Sequence, residues 1–178
     1  MDLRDVKEFF KDGLKYIVVI IIVLFLIIYV VSLEQVVGPS MNNTLDSDDI
    51  VLLNRAIYKY RSIKRFEVIS FNYADTKYLV KRVIGLPNEK IEYINNKLYV
   101  DDKELKEPFL NTTTITNDFS VKDLGYEKIP DGMYLVLGDN RENSLDSRDK
   151  KVGLISKKDV VGKVSIRLWP LTGIKLVK

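Results

Sequence analysis

The apolar positions of the chain fall into two regimes. From Tyr16 to Val31 the sequence reads YIVVIIIVLFLIIYVV, sixteen residues without a charge. With Leu14 upstream (Lys15 can snorkel) and Ser32-Leu33 downstream, the run is about 20 residues long, enough to cross a bilayer core as a helix over 14–33. It has no polar face, which argues against a buried helix in a chain this small. It is too long for the apolar core of a cleaved leader, and no small-x-small cleavage site follows it, the first alanine of the chain being Ala56. After residue 34 the pattern changes to short runs rich in Val, Ile, Leu and Tyr: DIVLLN (49–54), FEVISFN (66–72), KYLVKRVIG (77–85), KIEYI (90–94), KLYVD (97–101), GMYLVLG (132–138) and GKVSIRLWP (162–170). These predict strands separated by turns, with Asn95-Asn96 as a tight hairpin because Asn tolerates positive φ. The predicted fold is mainly β: a membrane helix followed by one domain over 34–178, its antiparallel sheet coiled or barrel-like. Residues 102–131, polar and containing NTTTITND, form a less regular excursion.

Charge gives the span a direction. Arg4, Lys7, Lys11 and Lys15 precede it, and the next basic residue is Arg55. The excess of Lys and Arg on one side predicts a cytoplasmic segment 1–13 and an extracytoplasmic domain. A net charge of +3 calls for no nucleic-acid partner. The chain contains no cysteine and no histidine, so disulfides, thiolate metal sites and any Ser-His-Asp triad are excluded. A serine nucleophile in this chain needs a lysine or a carboxylate as its base.

Three stretches carry candidate chemistry. The first is GPSMNNTL (38–45), where Gly38-Pro39 marks a turn or extended entry before Ser40. Taken alone, Ser40 after Gly-Pro reads first as a turn serine, and the alternative, a nucleophile, has to be judged with a partner. The second is the predicted strand 77–85, whose alternation sets Lys81 between Leu79 and Val83 on an apolar face. Lys81 is there either an edge lysine snorkelling to water or an amine held partly desolvated, with a lowered pKa. At an ordinary pKa near 10.4 only about 4 lysines in 10,000 are neutral at pH 7. A working base therefore needs a shift of about 3 units, or roughly 4 kcal/mol. The third stretch, GDNRENSLDSRD (138–149), crowds acids, arginines and hydroxyls directly after an apolar strand. It is either a solvated loop or a mutually satisfied network that fixes a geometry.

These three stretches, in this order behind a membrane anchor, resemble the bacterial type I signal peptidases, membrane-bound Ser-Lys proteases that remove signal peptides from exported proteins. PSMNNTL is similar to the nucleophile motif of that family, VKRVIGLPNE to its lysine motif and GDNRENSLDSR to its terminal motif. The resemblance implies that Ser40 is the nucleophile and Lys81 the general base. Ser144 would bond and orient Lys81, Asp139, Asp146 and Arg148 would hold the loop, and Arg82 would pair within the same network. Gly38, Met41, Leu45, Leu79 and Val80 would shape the substrate-binding surface. It further implies signal peptides of exported preproteins as substrates, a place in the bilayer near the translocation channel, and no metal or other cofactor. Two positions depart from the family: Asn43 stands where proline is usual, and Gly38 where some members carry a serine that donates to the oxyanion. Two other readings share some features. A phage-repressor type of self-cleaving Ser-Lys protease would have a DNA-binding amino terminus in place of the span, and an anchored β-domain without catalysis would bind peptide or cell-wall material.

Overall fold

A computed structural model of the chain describes residues 3–74 and 77–177. Met1 and Asp2 of the expected cytoplasmic segment, Asp75, Thr76 and Lys178 of the outer domain, and the side chain of Arg4 lie outside the described residues. The apolar run forms helix α1, Leu3–Tyr29, whose side chains from Leu14 to Tyr29 are all exposed to the surroundings. A Val/Ile-rich sequence is a modest helix former in water, but in hydrocarbon a helix satisfies every backbone group within one segment. The helix stops at Tyr29, not at Leu33. Val31–Gln35 is instead strand β1, paired antiparallel with β2, Ile50–Asn54. A strand partner on the outer domain thus claims the backbone of three residues that hydrophobicity alone assigns to the span.

The other elements are α2 (Ile57–Tyr60), β3 (Val68–Ala74), β4 (Lys77–Gly85), β5 (Ile91–Ile94), β6 (Lys97–Val100), β7 (Lys103–Leu105), β8 (Phe119–Ser120), β9 (Met133–Leu137), β10 (Ile155–Ser156), β11 (Val160–Trp169) and β12 (Lys175–Leu176). All pairings are antiparallel. One sheet runs β1-β2-β11-β3-β4-β9-β10, with β12 on β11, and the other runs β7-β6-β5-β8. The fold is mainly β, as its strand-length apolar runs require. The larger sheet is coiled but open, since β1 and β10 end it and do not pair. Asn95 and Asn96, at φ +48° and +64°, make the tight β5–β6 turn. Residues 102–131 are mostly irregular, yet they contribute β7 and β8 to the second sheet.

Three buried clusters hold the sheets together, and two of them position the site. Val36, Met41, Leu45, Val51, Leu53, Val68 and Val164 pack beneath the 38–45 turn, with Val80 against them. Ile63, Ile69, Phe71, Val83 and Val136 fill the space on β3, β4 and β9, with Leu79 at the margin. Burying each such side chain contributes roughly 1.5–3 kcal/mol. The turn bearing Ser40 and the strand bearing Lys81 are therefore anchored to one core.

Candidate active site

Met41 and Leu45 are fully buried and pin the turn between β1 and β2. Asn42 N donates to the Pro39 carbonyl (3.0 Å) and Leu45 N to that of Met41 (2.8 Å), which closes the turn and leaves Ser40 at its apex. Gly38 and Asn43 both sit at φ +86°. Glycine takes that conformation freely and asparagine more readily than most residues, whereas proline cannot take it at all. The departure at Asn43 is thus matched to this turn.

Lys81 lies on β4 opposite Ile69 and is only 2% exposed. Its Nζ stands 2.7 Å from Ser40 Oγ and donates to the Val80 carbonyl at 2.9 Å. Burial pulls the amine down to about 8 from an ordinary 10.5, although Asp146 and, less strongly, Asp139 oppose the shift. At that value roughly one Lys81 in ten is neutral at pH 7. With one N–H on Val80, a neutral amine has its lone pair free for the Ser40 proton.

The loop after β9 wraps this pair. Gly138 is obligatory there, because a Cβ would lie 2.6 Å from Ser144 Cβ and 2.4 Å from the Ser40 carbonyl. Asp139 takes a two-pronged bond from Arg82, Nε to Oδ1 at 2.8 Å and an Nη to Oδ2 at 2.6 Å, with both side chains fully buried. Thr44 Oγ1 donates to the same carboxylate, and Arg82 also donates to the Phe66 carbonyl and stacks on the Phe109 ring. Asp146 receives Arg148 at 2.9 and 2.8 Å and the Gly138 N–H at 3.0 Å. Its burial would raise its pKa, but Arg148 and the Gly138 amide hold it below the usual carboxylate range. The expected single network is thus two pairs, Arg82–Asp139 and Arg148–Asp146, joined through the Gly138-Asp139 backbone.

Some expected placements differ. Ser144 makes no hydrogen bond to Lys81. Its Oγ is buried against Gly138 and near the Asp146 carboxylate, and it makes no hydrogen bond among the described residues. A groove of about 680 Å³ adjoins Ser40, lined by residues 33–37, Ser40, Met41 and 78–81. Leu79 and Val80 line it, but Leu45 points into the core and Gly38 is absent from its walls. Residues 33–37 and Tyr78 were not expected there.

Three further residues, inside the 38–45 and 138–149 stretches but given no role there, join the site. Asn140 N donates to the Ser40 carbonyl (3.0 Å) and its Nδ2 to that of Pro39 (3.1 Å). Thr44 ties the turn to Asp139. Arg141, buried, donates to Glu107, Tyr93 and Thr116, linking the loop to the second sheet. Their partners lie 25 to 101 residues away in the chain, beyond any local pattern.

The sequence pattern of the family described as "Signal peptidase, peptidase S26" matches residues 9–169. The chain belongs to this family. Among similar proteins, Signal peptidase IB of Staphylococcus aureus (strain COL) is 41% identical over 181 residues, covering 93% of this chain and 94% of that protein. Signal peptidase I V of Bacillus subtilis (strain 168) is 42% identical over 139 residues, covering 74% and 82%. The crystal structure of a signal peptidase I from Enterococcus faecalis V583 superposes with a TM-score of 0.52 at 32% identity, over 59% of this chain and 98% of that one. This signal peptidase is therefore a hydrolase, a serine protease acting on signal peptides. Its amino-terminal helix fits a membrane-anchored protein: Lys11–Tyr29 is long and apolar enough to cross a bilayer.

Proposed function

We propose that this signal peptidase cleaves preproteins through a Ser40–Lys81 dyad at the outer face of the cytoplasmic membrane. The observation that carries this reading is the 2.7 Å approach of a buried Lys81 amine to Ser40 Oγ. Neutral Lys81 takes the Ser40 proton as Oγ attacks the scissile carbonyl. The protonated amine then gives that proton to the leaving amine, and an ester of Ser40 remains. Neutral Lys81 next takes a proton from water, whose oxygen attacks the ester, and returns it to Ser40 Oγ as the new carboxyl terminus departs.

The oxyanion falls to backbone amides. Ser40 N makes no hydrogen bond among the described residues, so its N–H is available. Asn140 fixes the Pro39-Ser40 peptide plane that carries this N–H. Gly38 supplies no side-chain donor, which leaves more of the stabilisation to that amide. Ser144, Asp139, Asp146, Arg148 and Arg82 serve as support, setting the loop against Lys81 and the Ser40 carbonyl.

The cleavage segment adds as an extended strand beside residues 78–81, its alternate side chains entering the groove where Met41, Leu79 and Val80 lie. This edge is open because β9 pairs with β4 only from Arg82 onward. Residues 1–13 lie in the cytoplasm, α1 crosses the bilayer once, and the outer domain works beside the translocation channel. β1 leaves the span at Val31 and its own residues line the groove, so the cleavage site sits at the membrane surface. Enzyme and substrate anchored in one bilayer meet at high effective concentration.

The test is processing of a preprotein in vesicles by Ser40→Ala and Lys81→Met variants. Both are expected to lose processing by at least a thousandfold, and Ser40→Ala to lose acylation by a serine-directed penem. Full processing by Lys81→Met would remove the dyad.

A further inference from the structure

Glu34 is a carboxylate in an otherwise mostly aliphatic groove. It lies on β1, six residues before Ser40, and lines the same cavity as Ser40, Val80 and Lys81. Its Oε2 accepts from the hydroxyl of Ser70 on β3 at 2.8 Å, and Ser70 is completely buried. β1 and β3 are three steps apart in the sheet, so the coil of the sheet brings this pair together. Ser70 is the cross-strand partner of Val80, on the side of β4 away from its open edge, and it holds Glu34 in the groove that Val80 also lines. The second carboxylate oxygen makes no hydrogen bond among the described residues. Burial raises the pKa of Glu34, partly offset by the Ser70 bond and by Arg55. As a carboxylate its second oxygen is free to accept; as the neutral acid, with Oε2 the carbonyl that takes the Ser70 bond, that second oxygen is a hydroxyl that can donate or accept.

We infer that Glu34 is a specificity-determining residue, tethered by Ser70 so that its free oxygen accepts a hydrogen bond from the substrate side chain at position −3, selecting serine or threonine there over an apolar side chain of equal size. The inference rests on the proposed reaction at Ser40. Position −1 abuts the nucleophile, and in an extended segment the next side chain on the same face is −3. We assign Glu34 to the latter, because the −1 side chain lies against Ser40 and Lys81 while Glu34 lines the same groove from β1. A site with a committed hydrogen-bond partner discriminates against an analogue that leaves it unpaired.

The experiment uses the full chain in detergent micelles and synthetic peptides with alanine at −1 that differ only at −3: alanine, valine or threonine, the last two nearly isosteric. Cleavage of the alanine peptide by the wild type and its loss in Ser40→Ala test the reaction itself. The subsite is read from the threonine-to-valine ratio of kcat/KM within each variant. A ratio of about ten is expected for the wild type, given the strength of a hydrogen bond to a charged group. It should fall to one or below in Glu34→Leu, and stay above one but reduced in Glu34→Gln, which keeps an acceptor oxygen. Should Glu34→Leu fail to fold, Glu34→Ala reads the same ratio. A ratio near one in the wild type, or one equal in wild type and Glu34→Leu, overturns the assignment while leaving the reaction at Ser40 standing.

Discussion

Lys81 is held at a cost in stability. In the unfolded chain its amine has an ordinary pKa of 10.5, whereas in the fold burial lowers it to about 8. The unfolded state therefore binds the proton more tightly. The penalty is fully present below about pH 8, falls as pH rises towards 10.5, and is gone above it. The difference of about 2.5 units corresponds to on the order of 3 kcal/mol at pH 7. Lys81→Met, which removes the charge and keeps the apolar stem, is expected to unfold at a higher temperature than the wild type at pH 7 while losing activity. That gain should shrink by pH 10, as circular-dichroism melting in micelles can follow. The apolar setting of Lys81 is readable from alternation, because Leu79 and Val83 flank it on one face of its strand. The proximity of Ser40, 41 residues away, is not, since it depends on how the turn and the sheet pack. The proposed roles of Ser40 and Lys81 therefore came from motif order, and those of the groove side chains least well, Leu45 turning inward and Glu34 carrying no signal in the sequence.

At the scale of elements, strands whose apolar runs are bounded by turn residues were legible. β4 occupies the predicted 77–85, and the Asn95-Asn96 turn joins the two strands expected on either side. β1 was hidden because Val31, Ser32 and Leu33 continue the hydrophobic run of α1, and only their pairing with Asn54, Leu53 and Leu52 separates them from it. The 138–149 loop was legible as a dense polar segment, but its division of labour was not. Asn140 is the element-level case: it ties this loop to the turn bearing Ser40 by two bonds to consecutive carbonyls. Asn140→Ala removes the side-chain bond that orients the peptide carrying the Ser40 N–H. A fall in kcat of about tenfold to a hundredfold is expected, with KM little changed, because the amide is needed mainly in the transition state. Unchanged steady-state kinetics on a signal-peptide substrate would remove Asn140 from the oxyanion machinery.

Across the whole molecule, one buried cluster joins the turn and the strand, hydrogen bonds of Asn140 and Asp139 tie the loop to both, and the groove is lined by the strand that follows the span. Arg141, reaching Glu107, Tyr93 and Thr116, couples the second sheet to the loop, so 102–131 buttresses the site from behind. The proposed orientation follows from cation asymmetry alone and is directly testable, because the chain has no cysteine of its own. Single substitutions Lys7→Cys and Lys150→Cys, both at exposed positions, place one thiol on each side of α1. In intact cells a membrane-impermeant maleimide should label Lys150→Cys and leave Lys7→Cys unlabelled until the membrane is permeabilised. The reverse pattern would place the groove in the cytoplasm, away from any emerging signal peptide.

The proton affinity of one amine decides whether the proposed dyad can work, and it can be read directly. With lysine side chains labelled at ¹⁵Nζ and Lys81→Met used to assign its resonance, a pH titration in micelles should show Lys81 deprotonating with a midpoint near 8. A midpoint above 10, where an ordinary hydrated lysine titrates, would mean that the amine beside Ser40 stays charged at neutral pH and cannot take its proton.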